Sequence, residues 1–334
     1  MKANITQFSR TVAVTLRWVT PAALLLALGA SVGIAQVYPL KPVRIVVAGS
    51  AGGTIDRIGR IVGQLLSESW DQQVVVDNRP GAGGTIGTQL VARARGDGYT
   101  LLVTANNFAI LPSLRVKMPY NALDDFAPVT LLAWSPHVLV VNPSLPAKSL
   151  GELLELARDR PGQLTYASVG TGTAQHVAGE MLKAMAKIDV VHVPYKGGAP
   201  ASAAIIGGHV DMMFANLSEV APHIEAGRIR VLAVATRQRV GSLAQVPTVS
   251  EVGVPGLESA SWFGMVAPAA TTKEIIKRIN TAVVSSLQAP ALRAHLLAQS
   301  LYVVGDRPEQ FAAFIRSETA KYAQVLSAIN ITAD

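Results

Sequence analysis

The residues best placed to bind a ligand lie in a glycine turn between a predicted buried strand, residues 44–48, and a helical pattern over residues 57–66. Gly52 and Gly53 allow the backbone to turn sharply and leave its N–H groups uncovered. The helix that follows directs its positive end toward the same turn. An anion is therefore the ligand that this turn would hold most readily. The alternative is an ordinary α/β turn with nothing bound.

A second turn of the same kind follows a predicted strand over residues 164–169. Ser168 lies at the end of this strand, and Thr173 can cap the helix that comes next. The hydroxyl groups of both residues could donate hydrogen bonds to a ligand. His176 falls in the first turn of that helix, where a packing or capping role is the alternative. Two helix N-termini across a cleft would suit a ligand with two carboxylates, or with one carboxylate and another polar end.

Three further polar residues lie close to these turns or at another strand end. Asp56 would repel an anion, so we expect its carboxylate to cap the N–H groups of residues 52–54 rather than bind an amino group of the ligand. Tyr195 and Lys196 follow a predicted strand, at the sheet edge where α/β proteins usually bind ligands. The alternative for Lys196 is a solvated loop position.

Motifs for catalysis, metals and cofactors are weak or missing. A G-x-S-x-G match at residues 29–33 lies in the N-terminal leader, and the glycines of residues 81–87 follow the second strand, where a dinucleotide site is not expected. The six histidines are spread out, and the chain has no cysteine. We therefore expect no metal, no cofactor and no catalytic residues. An exported α/β hydrolase or transferase is the alternative, and it would need a nucleophile–base pair that the sequence does not reveal.

The composition indicates a folded protein without a nucleic-acid partner. Half of the 334 residues are apolar, which is enough for one large or two medium domains. The formal net charge is +7, but the basic residues are scattered, whereas nucleic-acid binding usually needs a clustered basic face. A mildly positive cleft that attracts anions is the better interpretation of this charge.

Residues 1–35 have the features of a cleaved secretory signal peptide. Lys2, Arg10 and Arg17 accompany an apolar run over residues 18–30, small residues follow, and no acidic residue occurs. We expect cleavage near Ala35 and export to the periplasm. No later segment is long and apolar enough to suggest a membrane span.

The order of predicted elements indicates two α/β units linked by two chain crossings. Strands and helices alternate from residue 44 to residue 104 and again from residue 149 to residue 235, which favours parallel pairing. Two extended stretches, residues 126–142 and 262–268, lie between the units. We therefore predict a hinged, two-lobed α/β fold. Its predicted parts are a signal peptide (1–35), lobe I (36–134 and 260–334) and lobe II (135–259).

Several stretches in this order resemble the solute-binding proteins of tripartite tricarboxylate transporters, the Bug family. Each piece is short, but together they extend over nearly the whole mature chain. The best defined is Asn-Arg-Pro-Gly-Ala-Gly-Gly-Thr-Ile-Gly at residues 78–87. The others are residues 38–45, 52–56, 98–101, 166–176, 192–197 and 262–268.

The resemblance implies a periplasmic type II binding-protein (Venus flytrap) fold with two crossing segments at the hinge. It also implies an absence of catalysis and delivery of a small carboxylate to a membrane permease. We expect a monomer, and a role as the ligand-binding partner of a membrane sensor is an alternative to transport. Together with Tyr195, the ligand-binding residues that we predict are Ala51, Gly52, Gly53, Thr54, Asp56, Asn106, Asn107, Ser168, Gly170, Thr173, His176 and Asn216.

The first loop departs from the family pattern. Ala48 and Gly49 stand where a proline and a phenylalanine are usual in such proteins. The loss of the aromatic ring leaves more room there, so a typical dicarboxylate ligand does not follow from the resemblance.

Overall fold

The computed structural model describes residues 38–115, 117–329 and 331. The predicted signal peptide lies outside the described residues. Lys41–Asp334 form one compact unit, whose fold is given below. Of the other unit, Met1–Leu40, only residues 38–40 are described.

Three strands rich in Val, Ile and Leu open this unit, and each is followed by a helix. β1 pairs in parallel with both β2 and β3, so the predicted parallel β–α–β–α–β arrangement is confirmed. In chain order, the elements are β1 (Val43–Val47), α1 (Thr54–Trp70), β2 (Val74–Asn78), α2 (Thr85–Ala92), β3 (Thr100–Ala105) and α3 (Asn107–Leu114).

The spacing of apolar residues in the sequence indicates helix α1 but not helix α3. In α1, Ile58, Val62 and Leu66 recur every four residues and are buried, as expected for a helix with one face on the core. α3 was not predicted. It is apolar on nearly all sides and contains Pro112, so it lacks the helical periodicity of a surface helix.

A second α/β set follows. β5 pairs in parallel with β6 and β7. The Ser149 side chain accepts a hydrogen bond from the backbone N–H of Glu152 and so caps α4. α6 begins at Gly198, and Pro200 lies in its first turn, where proline is tolerated. The elements are β4 (Phe126–Val141), α4 (Leu150–Asp159), β5 (Thr165–Ser168), α5 (Ala174–Ala186), β6 (Val191–Pro194), α6 (Gly198–Ile206), β7 (Met212–Asn216), α7 (Leu217–Glu225) and β8 (Arg230–Val234).

Two long strands are shared by both sets. β4 pairs in antiparallel fashion with β9 (Ala260–Pro268) over its first part and with β7 and β8 over its last part. β9 in turn pairs with β3. Pro136 pairs with Ala260 at the end of the β4–β9 ladder, where the loss of one N–H donor is tolerated. These strands are the two predicted crossing segments, and the predicted fold class is confirmed.

The C-terminal segment returns to the first set. It comprises α8 (Lys273–Leu287), α9 (Pro290–Ala298), β10 (Tyr302–Val303), which pairs with β4, and α10 (Pro308–Ala328). α10 is joined to β9 through the Trp262 indole, which donates to Glu318 Oε2 at 3.0 Å. Among the described residues, no helix has the length and apolar character that a membrane crossing requires. The predicted lobe boundaries stay a prediction.

Candidate functional site

A cavity of about 400 Å³ lies where the parallel strands of both sets end. Residues that follow β1, β2 and β3 line one side, and residues that follow β5, β6 and β7 line the other. The carboxyl ends of parallel strands are where open α/β sheets bind ligands. The chain therefore builds one cavity from two sheet edges.

Six helices begin at this cavity, and their N-termini have no side-chain caps. The N-cap residues of α1, α2, α3, α5, α6 and α7 all line the cavity, and none makes a side-chain capping hydrogen bond. Among the helices that begin elsewhere, α4 and α8 are capped by side chains, α9 is not, and in α10 the Gln310 side chain accepts from the N-cap backbone N–H. Apart from the Ser218 N–H of α7, which donates to Ser135 Oγ at 3.3 Å, the first-turn N–H groups of the six helices at the cavity have no side-chain acceptor among the described residues. The positive ends of six helix dipoles converge on the cavity. These N-caps are Gly53, Gly84, Asn106, Thr173, Gly197 and Asn216.

Eight of the predicted ligand-binding residues line the cavity, but several use their side chains to build its walls. Asn106 donates to Ala260 O at 3.1 Å and to Tyr322 Oη at 3.0 Å, and it accepts from Trp262 N at 2.9 Å. Asn107 donates to Gly83 O at 2.7 Å. The eight residues are Gly53, Thr54, Asn106, Asn107, Gly170, Thr173, Tyr195 and Asn216.

The Thr173 hydroxyl has a different role from the predicted one. It donates to Gly170 O at 2.6 Å, so it neither caps α5 nor offers its proton to a ligand. The hydroxyl instead holds the turn closed, and the N–H groups at the start of α5 keep no side-chain acceptor.

Five predicted residues lie outside the cavity lining: Ala51, Gly52, Asp56, Ser168 and His176. Asp56 accepts from the backbone N–H of Gly52 at 2.9 Å and pairs with Arg60 at 3.0 Å, which agrees with the predicted capping role. Burial raises the pKa of Asp56, but these two contacts outweigh it and hold that pKa below its usual value.

Ser168 belongs to a buried stack behind the cavity. Its side chain is fully buried, accepts from Gly170 N at 3.1 Å and lies 2.7 Å from His192 Nε2. The His192 ring stacks on Tyr166 at 4.8 Å and lies 4.3 Å from the ring of His176. His176 accepts from Gly172 N at 3.4 Å through Nδ1. Ser168 and His176 therefore support the turn from behind, and the packing role weighed for His176 is the one observed.

The Ser168–His192 contact has the geometry of a nucleophile–base pair, which the sequence did not reveal. Such a pair acts only when a substrate can reach the hydroxyl. Ser168 has no exposed surface and does not line the cavity. In the part of the chain that the structure describes, this pair therefore offers a substrate no access.

Sequence reasoning missed several cavity residues. Arg115 donates to Thr85 Oγ1 at 3.0 Å and to Ala82 O at 3.3 Å, and Gln175 donates to Ser261 Oγ at 3.3 Å. Gln175 lies two residues after Thr173 in a predicted helix, so its position next to the predicted site could have been inferred from the sequence. No motif around Arg115 indicates that it lines the cavity. The missed side chains include Ser50, Ile55, Arg115, Gln175, Glu219, Ser261 and Phe263.

The walls of the cavity are more positive than negative. Among the described residues that line it, the charged side chains are Arg115, Lys196 and Glu219. Burial raises the pKa of Glu219 to about 7, although the nearby positive charge of Arg57 lowers it. Near neutral pH, Glu219 is therefore partly protonated, whereas the two basic side chains keep the local charge suited to an anion.

Backbone segments from the two sides approach each other closely around the cavity. A β-carbon built on Gly83, which follows β2, would lie 2.6 Å from the carbonyl oxygen of Thr171, which follows β5. A β-carbon on Gly197 would lie 1.9 Å from Ser50 Oγ. Both glycines have positive φ angles. The two sides thus touch across the cavity in places that only glycine can occupy.

Two α/β sets that share two crossing strands and enclose a cavity at their sheet edges define a periplasmic binding-protein fold of the two-lobed kind. The family model described as the tripartite tricarboxylate transporter family receptor matches residues 58–331. The chain belongs to this family of solute-binding proteins, and the predicted family resemblance is confirmed.

Similar proteins support this assignment. The chain is 35% identical to BugT of Bordetella pertussis over 294 residues, which cover 87% of this chain and 90% of BugT. The structure of R. palustris Rpa4515 with adipate has a TM-score of 0.85 and 35% identity, and the match covers 88% of this chain and 99% of that one. The structure of MatC (Rpa3494) from Rhodopseudomonas palustris with bound malate has a TM-score of 0.83 and 29% identity, with coverage of 86% and 100%.

Proposed function

We propose that this protein is a periplasmic solute-binding protein that captures a small organic carboxylate in the cavity and delivers it to a tripartite tricarboxylate-type permease. The observation that carries the proposal is the convergence of six uncapped helix N-termini on one cavity. Helix N-termini favour anions through both their free N–H groups and their dipoles. The similar structures that hold adipate and malate support a carboxylate as the anion.

The cavity can supply the free energy for useful affinity without covalent chemistry. A dissociation constant of 1 μM corresponds to about −8.2 kcal/mol. Hydrogen bonds to a charged group contribute about 1.5–3 kcal/mol each. Several such bonds from N–H groups exceed the ordering costs of association, provided that water is excluded. The close approach of backbone around the cavity provides that exclusion.

Binding and delivery then depend on opening and closing. The solute enters when the two sides separate, and its contacts with both sides favour the closed form. The permease recognises that closed form. The signal peptide predicted from residues 1–35 takes the chain to the periplasm, where it acts as a monomer without a cofactor.

A thermal-shift screen tests the proposed function. We expect carboxylates such as succinate, malate and adipate to raise the melting temperature, because a ligand at 100 times its dissociation constant adds about 2.7 kcal/mol of stability. For a protein of this size, that corresponds to a shift of several degrees. Glucose and choline serve as neutral and cationic controls. Stabilisation by these compounds alone would contradict the proposal.

Arg115 provides a test of the electrostatic contribution. We expect Arg115→Gln to weaken carboxylate binding about tenfold, because the change removes a partly buried positive charge from the cavity wall. Arg93→Gln, on the exposed surface next to α2, is the matched control and should leave affinity unchanged. Isothermal titration calorimetry with the carboxylate found in the screen measures both. Equal affinities for the two variants would remove Arg115 from the binding site.

A further inference from the structure

Glu219 is an acidic residue in the wall of a cavity that otherwise favours anions. It lies in the first turn of α7, three residues after the N-cap Asn216, and it lines the cavity. Among the described lining residues, it is the single acidic side chain. In its charged form, a carboxylate near bound anions weakens their binding, so the presence of Glu219 calls for a function of its own.

The Glu219 carboxylate has an unused acceptor. Its Oε1 atom is buried and has no hydrogen-bond partner. Asn216 Oδ1, on the same turn and also lining the cavity, is likewise buried without a partner. Buried acceptors are normally paired, and an unpaired one costs free energy. Two unpaired acceptors on one wall therefore favour a ligand that brings hydrogen-bond donors.

Glu219 forms no ion pair with Arg57, the cation whose charge acts on it. Arg57 is close enough for its charge to lower the pKa of Glu219, but Arg57 Nε and Glu219 Oε1 are both buried without a hydrogen-bond partner. Arg57 Nη2 donates instead to Ser218 O at 2.9 Å. Arg57 thus partly balances the charge of Glu219 and leaves the carboxylate oxygen available.

Glu219 lies against the start of α6, opposite the first glycine turn. A β-carbon built on Gly198 would lie 2.1 Å from Glu219 Oε1, and one built on the adjacent Gly197 would lie 1.9 Å from Ser50 Oγ. Ser50 Oγ is itself buried, unpaired and part of the lining. We call Ser50, Asn216 and Glu219 the acceptor corner. It offers three unpaired oxygens from both sides of the cavity.

We propose that the acceptor corner, through Glu219, selects a ligand that carries a hydroxyl or ammonium donor in addition to its carboxylate. The inference rests on the proposed function and extends it from carboxylates in general to hydroxy and amino acids. The helix N-termini bind the carboxylate, and Glu219 accepts the hydrogen bond from the donor. A carboxylate without a donor leaves the buried oxygens unpaired and binds more weakly.

Matched ligand sets test the inference by calorimetry. Succinate, malate and aspartate share one carbon skeleton and differ in having no donor, a hydroxyl or an ammonium group. Adipate, 2-hydroxyadipate and 2-aminoadipate form a longer set. In at least one set, we expect a donor-bearing member to bind the wild-type protein about tenfold or more tightly than the plain dicarboxylate.

Two substitutions at Glu219 distinguish a hydroxyl donor from an ammonium donor on the ligand. Glu219→Leu removes the acceptor and should abolish the preference for either donor. Glu219→Gln keeps an acceptor oxygen but loses the charge, so it should reduce ammonium binding about tenfold or more and affect hydroxyl binding only slightly. Glu225→Gln is the matched control, because it makes the same change on an exposed residue of the same helix.

The outcomes distinguish this inference from the proposed function. If all six carboxylates bind with equal affinity, or if the preference persists in Glu219→Leu, the inference is wrong and carboxylate binding still stands. If none of them binds and no other carboxylate stabilises the protein in the thermal-shift screen, the proposed function fails and the inference fails with it; if only carboxylates without a hydroxyl or ammonium donor bind, the inference alone is wrong. Melting temperatures of the unliganded variants show whether each one folds, and Glu219→Gln preserves the shape of the side chain in case Glu219→Leu does not.

Discussion

Replacing Gly83 with alanine is expected to weaken carboxylate binding by about tenfold or more while the fold stays intact. The new β-carbon would lie 2.6 Å from the carbonyl oxygen of Thr171, and this contact exists only when the two sides of the cavity are together. The substitution therefore raises the free energy of the closed form. Apparent affinity falls with the fraction of closed form, and tenfold corresponds to about 1.4 kcal/mol.

Gly227 provides the matched control for this change. Its φ angle of 66° is close to the 64° of Gly83, so alanine has a similar backbone cost, about 1 kcal/mol, at either position. A β-carbon on Gly227 would meet no atom within 4 Å. We expect both variants to lose similar stability in urea unfolding and Gly83→Ala alone to lose affinity in calorimetry. Normal binding by Gly83→Ala would show that this contact does not govern closure.

The second prediction is a loss of stability when the pH falls from about 6.5 to about 4.5, caused by buried neutral histidines. Burial lowers the pKa of His137 to about 3, and burial together with the neighbouring His176 lowers that of His192 to about 4. The unfolded chain, with a histidine pKa of 6.5, binds these protons first, so stability decreases as the pH decreases. Each histidine contributes about 1.4 kcal/mol per pH unit over this range.

Glu219 has the opposite effect on the stability of the protein over the same pH range. Its pKa of about 7 in the folded protein exceeds the ordinary value of 4.5, so the folded state binds this proton first and gains relative stability as the pH falls. The wild-type dependence is therefore smaller than the histidines alone would give. His192→Gln should flatten the loss of stability with acid, and Glu219→Gln should steepen it.

Urea unfolding at several pH values between about 7 and 4.5 measures these slopes. His295→Gln is the control, because His295 lies on the exposed surface of α9. The same slope for wild type and His192→Gln would mean that His192 does not stay neutral in the folded protein.

Much of the fold was predictable because local patterns agree with it. The valine and isoleucine runs of β1 and β2 and the proline-interrupted length of β4 indicated parallel units and a crossing strand. α3 was not predictable in this way, because a helix buried on nearly all sides has no polar face to reveal its period. Its environment depends on the packing of α10, which lies far away in the sequence.

The site was only partly predictable for the same reason. Gly53 and Gly170 belong to turns that the sequence shows directly, and both line the cavity. Ser168 lies only one residue before Val169, which lines the cavity, but successive strand residues face opposite sides, so Ser168 lies behind the wall. Arg115 and Glu219 reach the cavity through the packing of separate elements, and no short-range pattern encodes that.

The dependence of the cavity on glycines and helix N-termini has a consequence for how its specificity can change. Every variant keeps the same backbone N–H groups. Affinity for an anion therefore survives most side-chain replacements, because it depends on the backbone conformation around the cavity. Side chains on the wall that add no positive charge, such as Ser50 and Glu219, are free to vary without loss of that shared affinity. A library that randomises these positions and keeps the glycines is therefore the economical route to a sensor for a new organic acid.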